Sequence, residues 1–215
     1  MRFSVPMFPS LRNVKPTELM AWFIGYHTPR IQKDEYEFWL QEVALAIANA
    51  SSDWAGVLLA FAPYADALQL RAILLALSRL NGTLSEKQRD LLCAFARDLL
   101  ADRRPMVVAE AVDTLTSLGC RRAKEPISSL IRHASPYVRG SVLRYFARRH
   151  PKEAVPLLER ALHSKEPVVR QNAVDELDEM NHTPALAKIK RLLADPDKDV
   201  RQAARIAVEH LENGS

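Results

Sequence analysis

The sequence is poor in the residues that build tight turns, disulfide frameworks and membrane spans. Only six glycines occur among 215 residues, which suits packed helices better than hairpins and Gly-dependent turns. Cys93 and Cys120, the two cysteines, both fall inside apolar helical patterns. They do not make a disulfide framework and are expected to be buried, reduced thiols in a cytoplasmic protein. The longest apolar window, "GVLLAFAPYADALQLRAILLAL" over 56–77, is interrupted by Pro63, Asp66 and Arg71. A membrane span needs about 20 uninterrupted apolar residues, so none is expected. A secretory signal is not expected either, because Arg2 is followed by prolines where an apolar core should run.

Motifs of catalysis are missing as well. There is no Gly-rich phosphate loop and no nucleophile elbow. The six histidines, His27, His133, His150, His163, His182 and His210, show no paired spacing for zinc and no accompanying cysteine pair. The expectation is therefore no catalytic residue, no cofactor and no metal. The formal charge of +4 is mildly basic and alone says little about nucleic acid.

What is present is a repeat. Offset by 31 residues, Pro105, Pro136, Pro167 and Lys198 fall in one column, and Val107, Val138, Val169 and Val200 in the next informative one. Ala111/Val142/Ala173/Ala204 and Leu115/Phe146/Leu177/Val208 follow at steps of four, which puts them on one helical face. A second apolar set, including Ile127/Leu158/Ile189 and Leu130/Ala161/Leu192, continues the register. Each unit thus reads as two amphipathic helices joined by a short turn. Such a hairpin cannot bury both faces alone, so units must stack. Proline is tolerated at a helix start, where its missing N–H has no intrahelical partner. Pro151 and Pro184 are plausible openers of second helices on the same ground. In the last copy the apolar column Val112/Leu143/Val174 becomes Arg205, as a terminal cap requires.

Arg139, Arg170 and Arg201 share a further column, each four residues after Ser135, Glu166 and Asp197. An inter-repeat structural role is favoured over ligand contact. The phrase "DPDKDVRQAARIA" (195–207), with its acidic turn, Val-Arg and then small and apolar residues, resembles the HEAT-repeat pattern. The bacterial variety of phycobilisome-lyase-type repeats is the nearest in style. The likeness covers about half the chain, from Pro105 on, and Val108 departs from it where later copies have Arg. It implies an all-α fold, a right-handed α-solenoid of stacked antiparallel helix pairs, and a scaffold more than an enzyme.

Residues 1–31 read as an aromatic, Pro-rich N-terminal cap segment, with one short helix in "TELMAWFIG". Residues 32–104 read as degenerate helical repeats without the 31-residue beat, and 105–215 as regular repeats ending in a capping helix. Within 32–104, residues 32–50 pair with 52–62, and 65–80 pair with 85–100 across a break at "NGT". Ser85 and Gln88 have capping-box spacing. Of the 15 aromatic residues, 11 lie at or before Tyr64, among them Phe3, Phe8, Trp22 and Trp39. They plug the end of the stack or form a docking patch, since Trp and Tyr are favoured anchors.

The leading expectation is a non-enzymatic scaffold or adaptor that binds a protein partner through its curved helical surface. In HEAT-like stacks the second helices line the inner curve, and the resemblance makes Arg132, Arg160, Lys190 and Arg191 candidate contacts. The basic run from Arg121 to Arg149 adds Arg144 and Arg148, and the aromatic end adds Trp22 and Trp39. An alternative is a nucleic-acid-binding protein resembling the DNA-alkylation-repeat glycosylases. That reading needs aromatics and a carboxylate on a basic face, and here the aromatics cluster away from the basic run. A second alternative, by resemblance alone, is a phycobiliprotein bilin lyase-like factor. No membrane partner is expected.

Overall fold

Helix starts settle the repeat. In the computed structural model, which describes residues 11, 13–26, 28–80, 84–120 and 122–213, α6 (Pro105–Leu118), α8 (Pro136–Arg149), α10 (Pro167–Glu179) and α12 (Lys198–Asn213) begin 31 residues apart. Between them lie the second helices α7 (Lys124–Ser129), α9 (Pro151–Ala161) and α11 (Leu186–Arg191), the first and last prolonged by 3-10 turns at Leu130–Arg132 and Leu192–Ala194. Proline opens α6, α8, α9 and α10, and Pro184 lies in the 3-10 turn that leads into α11. Among the described residues all regular structure is helical, and no helix is long and apolar enough to cross a membrane. The break expected at 81–83, Phe3, Phe8, His27 and Arg121 lie outside the described residues.

The chain divides into two compact units, residues 1–120 and 121–215. In the second, α10 packs between α8 and α12 while α9 lies across α8 and α10. This is the α-solenoid arrangement of stacked antiparallel pairs. Val138, Val169 and Val200 are 0%, 4% and 0% exposed, so the predicted column is core. Ile127, Leu158 and Ile189 of the second helices are fully buried too. Each such side chain contributes about 1.5–3 kcal/mol by leaving water.

The first unit contains α1 (Pro16–Phe23), α2 (Tyr36–Ala50), α3 (Ser52–Phe61), α4 (Ala67–Arg79), α5 (Glu86–Asp98) and α6. Here the beat extends further than the sequence suggested. α2 and α4 also begin 31 residues apart, and only the 38-residue step from Ala67 to Pro105 breaks the spacing. α3 packs on α2 as expected, but α4 packs between α2 and α6, and α5 packs chiefly on α6. Two capping boxes fix the starts of α4 and α5. Gln69 N–H donates to Asp66 Oδ1 at 2.9 Å, and Gln88 N–H donates to Ser85 Oγ at 3.3 Å. The first of these went unread in the sequence. Gln69 Nε2 also donates to the Phe23 carbonyl at 2.7 Å, tying the end of α1 to α4.

The expectation of reduced thiols is corrected. Cys93 on α5 and Cys120 form a disulfide, with Cα atoms 5.7 Å apart. The cause is the end of α6. Gly119 adopts φ +65°, its N–H bonds Thr116 O at 3.3 Å, and the Cys120 N–H returns to Leu115 O at 3.2 Å. This pair of bonds is a Schellman motif; it reverses the chain and sets Cys120 beside α5. With the thiols paired, the basis for expecting a reducing compartment is gone.

Candidate functional site

In the second unit every turn from a second helix to the next first helix is built alike. The side chain at its first position accepts the N–H two residues on. His133 Nδ1 receives Ser135 N–H at 3.0 Å, Ser164 Oγ receives Glu166 N–H at 3.3 Å, and Asp195 Oδ1 receives Asp197 N–H at 2.9 Å. The arginine column then closes the turn from above. Arg139 Nη1 donates to the carbonyls of His133 and Ala134 at 2.6 and 3.0 Å. Arg170 does the same to Ser164 and Lys165 at 2.8 and 3.1 Å, and Arg201 to Asp195 and Pro196 at 2.7 and 2.9 Å.

The guanidinium groups of Arg139 and Arg170 also reach the next repeat. Arg139 pairs with Glu166 at 2.9 Å. Arg170, only 8% exposed, forms a bidentate pair with Asp195 at 2.6 and 2.8 Å. The hydrogen bond from Arg170 holds the Asp195 carboxyl below its ordinary range. The column therefore joins one repeat to the next. In the first unit, where Val108 takes the place of Arg, Arg104 binds Asp102 instead, at 2.8 and 2.9 Å.

Above these turns, still within the second unit, lies a cleft of about 430 Å³. Arg132, Arg139, Arg160, His163 and Ser164 supply its polar lining, and Ile131, Leu143, Leu157, Ala161 and Val169 its apolar lining. Arg132 ends the 3-10 turn after α7, and Arg160 stands in the last turn of α9. Both are exposed, and their side chains meet no hydrogen-bond or ion-pair partner among the described residues. Cations at helix C-termini are favoured by the negative dipole end, so this placement needs no acid beside it. The lining includes no carboxylate and no Phe, Tyr or Trp.

The structure separates the remaining candidates from this cleft. Lys190 pairs with Glu212 at 2.5 Å. Arg191 is exposed but does not line the cleft. Arg144 donates to Asn172 Oδ1 at 2.9 Å and to Glu176 Oε1 at 3.2 Å, bracing α8 on α10. Arg148 pairs with Glu179 at 3.2 Å. Trp22 is half-buried, its ring 6.4 Å from that of Trp39. Trp39 itself is corrected from docking anchor to core. It is 0% exposed and stacks 5.9 Å from Tyr36. A side chain with no accessible surface offers nothing to a partner. Among the described residues, the exposed aromatics of that region are Tyr26, Phe38 and Tyr64.

Sequence reasoning reached Arg132 and Arg160 but missed His163, Ser164 and the apolar floor as one site. The signal existed. His133, Ser164 and Asp195 stand 31 residues apart, as the helix starts do, and the polar residues of that column mark the turns around which the cleft forms.

Residues 124–209 match the family model of HEAT repeats. Over those residues the second unit is similar to HEAT repeats. Among solved structures the chain is similar to a crystal structure of an engineered protein, at 14% identity and a TM-score of 0.50, over 92% of this chain and 98% of that one. That likeness concerns the fold alone. Two designed armadillo repeat proteins, one in complex with the peptide (KR)4, are each 16% identical over 91% of this chain and 99% and 98% of theirs, with TM-scores of 0.46 and 0.47. Likeness at that level carries no functional inference. No curated protein matches the sequence.

Proposed function

We propose that this chain is a non-enzymatic scaffold that grips a protein partner through the second helices of its HEAT-repeat unit. One observation carries the reading: Arg132 and Arg160 stand unpaired at a cleft with an apolar floor. Arg139 on the same cleft, and Arg144, Arg148, Arg170, Lys188 and Lys190 elsewhere in the unit, are engaged by acids of the same fold. Cations left without partners above apolar surface make a contact patch of the kind Arg favours at protein interfaces. The one hydroxyl in the lining, Ser164, is tied into its own turn, accepting from the Glu166 N–H at 3.3 Å and donating to the Glu166 carboxylate at 2.9 Å.

The DNA-glycosylase-like alternative needs a stacking ring and a carboxylate beside an extruded base, and the cleft lining offers neither. A bilin lyase-like role rests on repeat style alone. The test is capture of a partner by the immobilised protein and by an Arg132→Glu/Arg160→Glu variant. Loss of the captured protein in the variant is expected. Tight, steeply salt-dependent binding of duplex DNA by the unmodified chain would replace the protein partner with a phosphate backbone.

A further inference from the structure

We infer that the cleft between the 3-10 turn at Leu130–Arg132 and the end of α9 takes an extended protein segment in which an apolar side chain is flanked by acidic ones. The inference rests on the scaffold reading and names the chemistry of the partner. The floor is apolar, with Ile131, Leu157 and Ala161 half-buried over the buried Leu143 and Val169. At about 430 Å³ the space lies in the range of roughly 300–1,000 Å³ of small-ligand sites. That suits one apolar side chain and its neighbours and is far too small for a folded domain.

The rim is cationic and fixed on one side. Arg139 cannot swing away, because carbonyls 133 and 134 and Glu166 hold its guanidinium. Arg132 and Arg160 have only water to displace, so each fork is open to a carboxylate in bidentate geometry. Glu166, an acid that touches the lining, is already engaged by Arg139 and Ser164. The charge offered to a ligand is therefore positive, and the complement is acid.

Two features select carboxylate side chains over phosphate. Backbone amides of such turns are the usual cradle for a phosphate. Here the N–H of Ser135 is taken by His133 Nδ1 and that of Glu166 by Ser164 Oγ. Single-stranded nucleic acid would also want an aromatic platform for its bases, and the lining holds no Phe, Tyr or Trp.

The experiment is fluorescence anisotropy on the full chain with a labelled peptide of alternating Asp and Leu, blocked at both ends. Control probes alternate Asn and Leu, or Asp and Ser; labelled oligothymidylate and competing inorganic phosphate complete the set. The Asp–Leu peptide is expected to bind at least about tenfold tighter than either control peptide. Arg132→Glu/Arg160→Glu should weaken it by a similar factor with unchanged Tm, and Leu157→Asn should weaken it too. Arg191→Glu, off the cleft, should leave it unchanged. Equal binding of the Asp–Ser peptide or of oligothymidylate, displacement by phosphate, or indifference to the double reversal would each overturn the inference. Failure of the scaffold reading looks different. If a partner captured from the source cells is lost with Arg191→Glu but kept with the double reversal, the scaffold stands and the cleft assignment falls. If no charge reversal on a second helix affects capture, both fall.

Discussion

The two units solve the same packing problem by different means. In residues 1–120 the helices enclose large side chains, with Trp39, Phe23, Leu40 and Ile47 fully buried, and a disulfide ties α5 to the end of α6. In residues 121–215 the fully buried side chains are aliphatic, with Tyr145 and Phe146 nearly buried beside them, and a polar device recurs. One arginine closes each turn, and those of the first two turns each reach an acid of the next repeat. A regular stack presents the same environment every 31 residues, so one polar solution can be used again. Where the spacing is irregular no such reuse is possible, and bulk and a covalent link hold the helices instead. The first unit should therefore answer to cavities and reductant, the second to pH.

The largest effect is expected from Trp39→Ala. Removing a fully buried indole costs about 3–5 kcal/mol, read as a shift in urea midpoint by circular dichroism. Because Trp39 Nε1 has no hydrogen-bond partner, Trp39→Phe should cost much less. Equal losses would mean that an unrecognised polar contact, and not volume, holds the site. Next comes reduction of Cys93–Cys120. The bond closes a chain segment of separation 27, for which loop entropy gives about 3.5 kcal/mol. All three tryptophans, Trp22, Trp39 and Trp54, lie in the first unit, so their fluorescence reports that unit. Reductant should lower the fluorescence-detected Tm. An unchanged value would remove the covalent half of the contrast.

In the second unit, Arg170→Ala breaks a buried pair and strands Asp195, which is 7% exposed; such losses run to about 3 kcal/mol. The sign of its pH dependence follows from Asp195. Arg170 lowers the folded-state pKa of that carboxyl from the ordinary 3.8. The stabilisation is therefore complete above the ordinary value and disappears as pH falls through the depressed one. The gap between wild type and Arg170→Ala should be widest near neutral pH, begin to narrow only below the ordinary aspartate value of 3.8, and go on narrowing as pH falls further. A gap independent of pH would show that Arg170 acts through the carbonyls of Ser164 and Lys165 alone.

How much of this was legible follows the same division. Val138, Val169 and Val200 announced the core of the second unit because each copy repeats both the apolar column and the proline before it. The role of Arg139 and Arg170 was readable as inter-repeat contact for the same reason. The disulfide was not, since Cys93 and Cys120 meet only after Gly119 turns the chain out of α6. Nor was Trp39, since an aromatic-rich segment looks alike whether its rings face inward or outward, and only the packing of α1 and α2 decides. At the cleft, Arg132 and Arg160 were found through charge. Their floor was hidden because Leu143 and Val169 sit on first helices and Ile131, Leu157 and Ala161 on or beside second ones. Only the stacked geometry joins them.

The smallest effect expected is also the most discriminating, because it runs opposite to Arg170→Ala. Glu176 on α10 is 3% exposed, and while its Oε1 accepts from Arg144 Nε at 3.2 Å, its Oε2 is buried without a partner. Burial pushes this carboxyl above the ordinary 4.5, outweighing the attraction of Arg144. An acid raised on folding favours the fold when protonated, and that contribution is lost as pH climbs through the folded-state value. Ionising this side chain is therefore less favourable in the folded chain than in the unfolded one, and the difference weakens the fold near neutral pH. Glu176→Gln keeps the acceptor for Arg144 and removes the buried charge, so a small rise in Tm is expected at neutral pH. The rise should vanish at pH below the ordinary glutamate value, where the wild-type side chain is neutral as well. A fall in Tm at neutral pH would mean that the charge of Arg144 repays the burial in full, and that the second unit has polar contacts of one sign only.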